Sequence, residues 1–236
     1  MQRLTLLDDE NYLFPDIDDA LVEPNGLLAA GGDLSSGRLL AAYRLGIFPW
    51  YDEEQPILWW SPDPRCVIDP LSFKPSRTLA RRIRRHEFEI RVDTDFASVI
   101  DACCHRGDNG GTWITRDMID AYLHLHDLGV AHSIEAYRGD TLAGGLYGLA
   151  IGPLFFGESM FHRETDASKV AFAALMQLMV AAGSPMVDCQ ISNPHLLSLG
   201  AVEIPRQQFQ LVLHQNIDKP GPDWTRLRGR FDLAGG

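Results

Sequence analysis

The chain has 236 residues, with 21 basic against 32 acidic side chains and a net charge of −11. At 45% apolar and 22% charged it has an ordinary globular composition, and its length admits one large domain or two smaller ones. No apolar run approaches the ~18 residues of a membrane span. The first residues show no long apolar stretch followed by a small-residue cleavage site. Cys66, Cys103, Cys104 and Cys189 are too few for a disulfide scaffold and form no C-x-x-C pair. The expectation is a cytoplasmic protein with no membrane partner.

The first sixty residues are rich in Pro and Gly, with one helix starting at Ser35 or Ser36, running to Tyr43 and closed by Gly46. The Pro-bounded break at 61–64 predicts a small N-terminal domain, 1–62, and a larger one, 63–236. Next comes a basic helix. Lys74, Arg77, Arg81, Arg82, Arg84 and Arg85 give residues 74–85 a charge of +6, leaving −17 (−11 − 6) on the remainder. Ser76 suits the N-cap, and Leu79 and Ile83 share one side, opposite an arginine stripe. Such a face is either simply solvated or built for repeated phosphates; the contrast with an acidic remainder favours phosphates.

Residues 88–92 alternate as a strand, and helices are predicted over 95–103 and from Thr115, an N-cap, to Leu128 before Gly129. Strands follow at 131–137, 142–151 and 154–156, then a long helix over 166–182 stopped by Gly183, a strand at 186–191 and a short helix from Asn193. Antiparallel strands followed by a helix and a further strand make an α+β pattern. The tail after Pro220 reads as loose.

Most catalytic signatures are missing. His124 and His126 point in different directions on a helix, and Cys103-Cys104-His105 is a poor chelate, so no metal is expected. Neither phosphate-binding glycine motif occurs, and Phe161 occupies the second glycine position of the nucleophile-elbow pattern at 157–161. On the strand at 186–191, alternation puts Asp188 and Gln190 on one face and Cys189 on the other, in core, which disfavours a Cys189–His195 thiol mechanism. A carboxylate on so apolar a strand needs partners, and Gln190 can donate; the pair is either structural or part of a site. Trp50, Trp59, Trp60 and Trp113 lie in or beside turns, where aromatic rings either stack on bases or pack between domains.

Seven stretches, in order, resemble the bacterial leucyl/phenylalanyl-tRNA–protein transferases. They read EPNGLLAAGGDL at 23–34, AYRLGIFPW at 42–50, ILWWSPDPR at 57–65, GTWIT at 111–115, FGESMF at 156–161, DCQ at 188–190 and SLGAVEIPR at 198–206. The resemblance implies transfer of Leu, Phe or less readily Met from a charged tRNA to the N-terminal Arg or Lys of a protein, giving a peptide bond and a degradation signal. It implies a C-terminal domain similar to the GNAT acyltransferases and needs no cofactor. The coenzyme A loop [QR]-x-x-G-x-[GA] of acetyl-CoA GNAT enzymes is replaced by His162-Arg163-Glu164-Thr165, so the donor is not expected to be a coenzyme A thioester. An aminoacyl ester is already activated, and an α-amine with a pKa of ~7.7–8.0 is partly neutral near pH 7. By resemblance, Gln190 contacts that amine, Asp188 polarises and orients it, Glu158 lies at the site to hold the acceptor's cationic end, and Trp50 and Trp113 lie near the terminal adenosine and amino acid; an amide is a poor general base, so proton removal is expected to be shared with Asp188, the substrate or water. An apolar pocket for Leu or Phe is expected from Leu146, Phe155, Phe172, Leu175 and Val187. The rival readings are a coenzyme A-dependent acetyltransferase and a tRNA-binding module without catalysis.

Overall fold

The computed structural model describes residues 4–8, 10–105 and 114–233. The first sheet contains β1 (Thr5–Leu7), β2 (Leu27–Gly31), β3 (Phe48–Pro49) and β4 (Leu58–Trp60), in the order β1-β2-β4-β3. Helix α1 (Ser36–Arg44) joins β2 to β3; its N-cap is Ser35, whose hydroxyl accepts from the Arg38 N–H. The second sheet has eight strands: β5 (Arg65–Ile68), β6 (Glu89–Val92), β7 (Ala131–Arg138), β8 (Thr141–Ile151), β9 (Leu154–His162), β10 (Val187–Gln190), β11 (Val202–Ile204) and β12 (Gly229–Phe231). Their spatial order is β11-β5-β10-β9-β8-β7-β6-β12. Strands β6 to β9 are antiparallel neighbours, whereas β10 runs parallel to β9.

The helices form where the local signals place them. Ser76 caps α2 (Arg77–Arg84) by accepting from the Leu79 N–H, and Leu79 and Ile83 are buried while Arg77, Arg81 and Arg84 face solvent. Asp95 caps α3 (Phe96–Cys104) and Thr115 caps α4 (Arg116–Asp127). Helix α5 (Ala167–Ala181) is apolar almost all round and correspondingly deeply buried. Short helix α6 (Pro194–Ser198), helix α7 (Arg206–Asn216) and the single turn α8 (Trp224–Leu227) complete the chain.

Each face of the larger sheet carries its own apolar cluster. On one, α2 and α5 cover Ile134, Leu146, Phe155 and Val187. On the other, Tyr147, Phe156 and Phe161 pack with Tyr122 of α4 and with Tyr43 and Trp59 from the first sheet's side. Trp59 is fully buried, and its indole N–H donates to the Gly31 carbonyl at 2.9 Å.

Two expectations need correction. The third strand of the meander does not stop at Phe156 but continues to His162, because a bulge at Glu158 absorbs the irregularity that interrupts its alternation. The tail as far as Leu233 is not loose: β12 pairs with β6, and Trp224 lies buried against His132, the two rings stacked at 4.0 Å and 9°. The tail's apolar residues, not its glycines and prolines, decide its state. Trp224→Ala should therefore destabilise the protein by about 3 kcal/mol, read as a lower urea midpoint; an unchanged midpoint would mean that the tail carries no packing energy.

Candidate active site

The site forms where β9 and β10 part. The two strands pair at Val187↔Phe155 and Asp188↔Phe156, where their ladder ends. Beyond that point each is irregular. Glu158 is skipped in the ladder between β8 and β9, and Cys189 is skipped between Asp188 and Gln190 in the ladder with β5. Gln190 also adopts φ +62°, a left-handed backbone that non-glycine residues seldom take. Such irregularities re-aim side chains. They turn the Gln190 amide onto Glu158, where Nε2 donates to Oε1 at 2.7 Å.

Glu158 is 8% exposed. Its carboxyl accepts from the Tyr43 hydroxyl at 2.7 Å and the Tyr122 hydroxyl at 3.0 Å, and the two phenol oxygens are 2.5 Å apart. Burial lifts its pKa to about 7; the three hydrogen bonds pull it back, and the nearby Asp188 charge adds to the rise. Both phenols are themselves pushed well upward, first by burial and then by the Glu158 charge, and so remain protonated donors.

Asp188 lives in a different environment. It is 1% exposed, and Arg65 grips both of its oxygens, Nε to Oδ1 at 2.9 Å and Nη2 to Oδ2 at 2.7 Å. Its bond from Gln190 comes from the backbone N–H, at 2.9 Å, not from the amide side chain as alternation suggested. The bulge is the reason: it breaks the period of two on which a shared face depends. Asp188 does not line the cavity.

That cavity, about 930 Å³, opens beside Glu158 and Gln190. Leu146, Phe155, Phe172, Leu175 and Val187 all line it, and Trp50, 41% exposed, stands among its lining residues. Gly148 makes room for this wall, because a Cβ there would fall 2.6 Å from the Phe155 ring. Cys189 packs in the same cluster as Val187, apart from Asp188, but it is also part of the cavity wall. Its thiol is pushed upward by a hydrogen bond with Cys66 and by burial, the opposite of what a thiolate nucleophile needs. Trp113 falls outside the described residues.

The basic residues lie elsewhere. Lys74, Arg77, Arg81, Arg84 and Arg85 are exposed, line no part of the cavity, and pair with no acid among the described residues. Arg82 differs: it is half-buried and sits 2.6 Å from Glu87 and 3.1 Å from Asp166. Its charge is used within the fold, so it is the weakest member of the predicted phosphate-binding set.

Sequence reasoning missed three residues. Tyr43 and Tyr122 lie in predicted helices, and no local signal tied them to Glu158. Arg65 stands at the end of SPDPR at 61–65, where the proline-rich turn drew attention and the arginine did not.

An apolar cavity that ends on a carboxyl group poised near neutrality and an amide suits a group-transfer enzyme. Residues 67–214 match the family model described as leucyl/phenylalanyl-tRNA protein transferase, and residues 32–63 match the model of its N-terminal domain. A leucyl/phenylalanyl-tRNA–protein transferase of Anaeromyxobacter sp. (strain K) is 53% identical over 224 residues, 94% of this chain and 93% of that protein. Those of Stutzerimonas stutzeri (strain A1501) and Aromatoleum aromaticum are 52% and 55% identical over 94% and 89% of this chain, and 99% and 89% of their own. The chain belongs to the leucyl/phenylalanyl-tRNA–protein transferase family and is an aminoacyltransferase.

The Glu158 environment sets a pH dependence. Its folded pKa of about 7 lies above the ordinary 4.5, so the folded state holds this proton more tightly. That contribution to stability is fully present below the ordinary value and is lost as pH rises through about 7. Relative to Glu158→Gln, the wild type should lose on the order of 3 kcal/mol between about pH 4.5 and 8. Parallel curves of melting temperature against pH for the two proteins would show that Glu158 does not titrate in this range.

Proposed function

We propose that the cavity takes the aminoacyl end of Leu-tRNA or Phe-tRNA, with the donor side chain against Leu146, Phe155, Phe172, Leu175 and Val187. The amine of an acceptor protein beginning with Arg or Lys then attacks the ester carbonyl beside Gln190 and Glu158. Gln190 spends its amide N–H on Glu158, and the amide oxygen remains to accept from the attacking amine. The amine nitrogen bonds to the carbonyl carbon, and its extra proton passes to Glu158, a base poised near neutral pH. The carbonyl then re-forms, the tRNA ribose oxygen leaves, and Glu158 returns the proton to that oxygen. Asp188, held by Arg65, supports Gln190 without contacting the amine. The observation that carries the reading is the Glu158–Gln190 pair, 2.7 Å apart at an apolar cavity large enough for a Leu or Phe side chain.

The same proposal assigns the exposed arginines of α2 to tRNA phosphates, because charges at helical spacing suit a repeating backbone. It takes residues 1–62 and 63–236 as two domains, the second GNAT-like; the antiparallel run β6 to β9, followed by α5 and parallel β10, supports that reading. The donor is a tRNA ester rather than a coenzyme A thioester. Glu164 and Asp166 precede α5, and carboxylates at a helix start disfavour a bound pyrophosphate. Among the described residues no helix is long and apolar enough to cross a membrane, which is compatible with the expected cytoplasmic location.

Labelled leucine should move from Leu-tRNA to a peptide beginning with Arg; no transfer would refute the assignment. Changing Arg77, Arg81 and Arg85 to Glu should abolish transfer from full-length tRNA while a short aminoacyl-adenosine donor keeps most of its rate. Equal loss with both donors would remove α2 from the tRNA interface.

Leu146→Phe narrows the pocket and should lower kcat/KM for Phe-tRNA more than for Leu-tRNA, by a differential of roughly tenfold. A constant ratio in a folded, active variant would place the donor side chain elsewhere.

A further inference from the structure

The most heavily engaged charged group near the cavity is one that does not touch it. Arg65 is fully buried. Beyond its two bonds to Asp188, its Nη1 donates to the Gly46 carbonyl at 3.0 Å. Its guanidinium carbon lies 4.9 Å from the Phe48 ring centre and 4.6 Å from that of Phe209. The group is therefore tied to β3 and the turn before it, to α7 and to β10. Asp188 Oδ1 accepts from both Arg65 Nε and the Gln190 backbone N–H, each at 2.9 Å. That N–H belongs to the residue at φ +62°. A left-handed glutamine is held only where its surroundings over-determine it, and the Asp188 carboxylate is the group that meets its N–H.

We propose that Arg65 is a positioning residue for Gln190: by fixing the Asp188 carboxylate it holds the backbone turn that points the Gln190 amide at Glu158. The inference rests on the reading of Gln190 and Glu158 as the groups that meet the attacking amine. The requirement is for a guanidinium, not merely a positive charge. A planar fork holds both carboxylate oxygens in one plane and still has an N–H for Gly46, whereas an ammonium is a point charge that leaves the carboxylate free to rotate. Rotation of Asp188 would release the Gln190 N–H and, with it, the direction of the amide.

The test compares Arg65→Lys in two backgrounds, wild type and Gln190→Ala, by transfer of labelled leucine from Leu-tRNA to an Arg-initiated peptide. In the wild-type background kcat should fall about tenfold or more, a misplacement effect, while KM for Leu-tRNA stays within about twofold because tRNA binding is untouched. In the Gln190→Ala background, where the positioned group is gone, the same substitution should change kcat by less than about twofold. Asp188→Asn, which keeps the side-chain shape but loses one acceptor oxygen, should reproduce the pattern and serves if Arg65→Lys does not fold. An unchanged kcat in a folded Arg65→Lys enzyme, or the same loss in both backgrounds, would overturn the inference while the transferase reading stands. A wild-type protein that transfers nothing would remove both.

Discussion

Everything at this site depends on two neighbouring strands that pair for two residues and then separate. Strands β9 and β10 are parallel, and their ladder stops at Asp188↔Phe156. Had it continued, the sheet would have been closed and packed, with no room for a substrate. Just beyond that point each strand is bulged against its other neighbour, β9 at Glu158 against β8 and β10 at Cys189 against β5. The bulges have a second consequence beyond the gap. They turn two polar side chains from separate strands towards each other, so Glu158 and Gln190 meet across the opening instead of pointing along their own strands.

The separation also gives the two carboxylates different surroundings. Glu158 is surrounded by neutral donors, which satisfy its oxygens without supplying charge, so burial dominates and its proton is held to about pH 7. Asp188 is as deeply buried but faces a guanidinium that binds both its oxygens. One group is left able to exchange a proton near neutrality, and the other is clamped at both oxygens by a guanidinium. On the proposed reading the two acids divide the work: the first handles protons, the second holds geometry. The Asp188 charge is also part of what lifts Glu158.

On the proposed reading, recognition is divided in the same spirit. The apolar wall formed by β8, β9, β10 and α5 suits a side chain a few ångströms across, whereas α2 presents exposed arginines outside the cavity. Phosphate contacts fix position through charge and act at long range; an apolar pocket selects through volume and acts only on contact. The two surfaces share a scaffold, because α2 and α5 pack in the same cluster and Arg82 ties one to the start of the other through Asp166.

Much of this was legible in the chain alone. The Ser76 cap, the Leu79 and Ile83 pair and the outward arginines identify α2; Thr115 and Gly129 bound α4; and the meander follows from alternation broken by the Gly139 turn. These signals are local, carried by residues three or four apart on a helix or two apart on a strand, and neighbours along the chain are enough to produce them. The motif stretches named the family, and the residues expected to form an apolar pocket do share one wall. The contacts that set the chemistry were not legible. Tyr43 reaches Glu158 across 115 positions and Arg65 reaches Asp188 across 123. Even the direction of Gln190 depends on a bulge opposite β5, so strict alternation misplaced it. Whether a buried carboxylate meets a phenol or a guanidinium, and whether a tail rich in glycine and proline folds back onto a sheet edge, depends on strand register and packing between segments far apart in the chain. The sequence determined which elements form and which residues are apolar or charged. Only the tertiary structure decided which charges are neutralised and which are left to react, because desolvation and pairing exist only once distant segments have met.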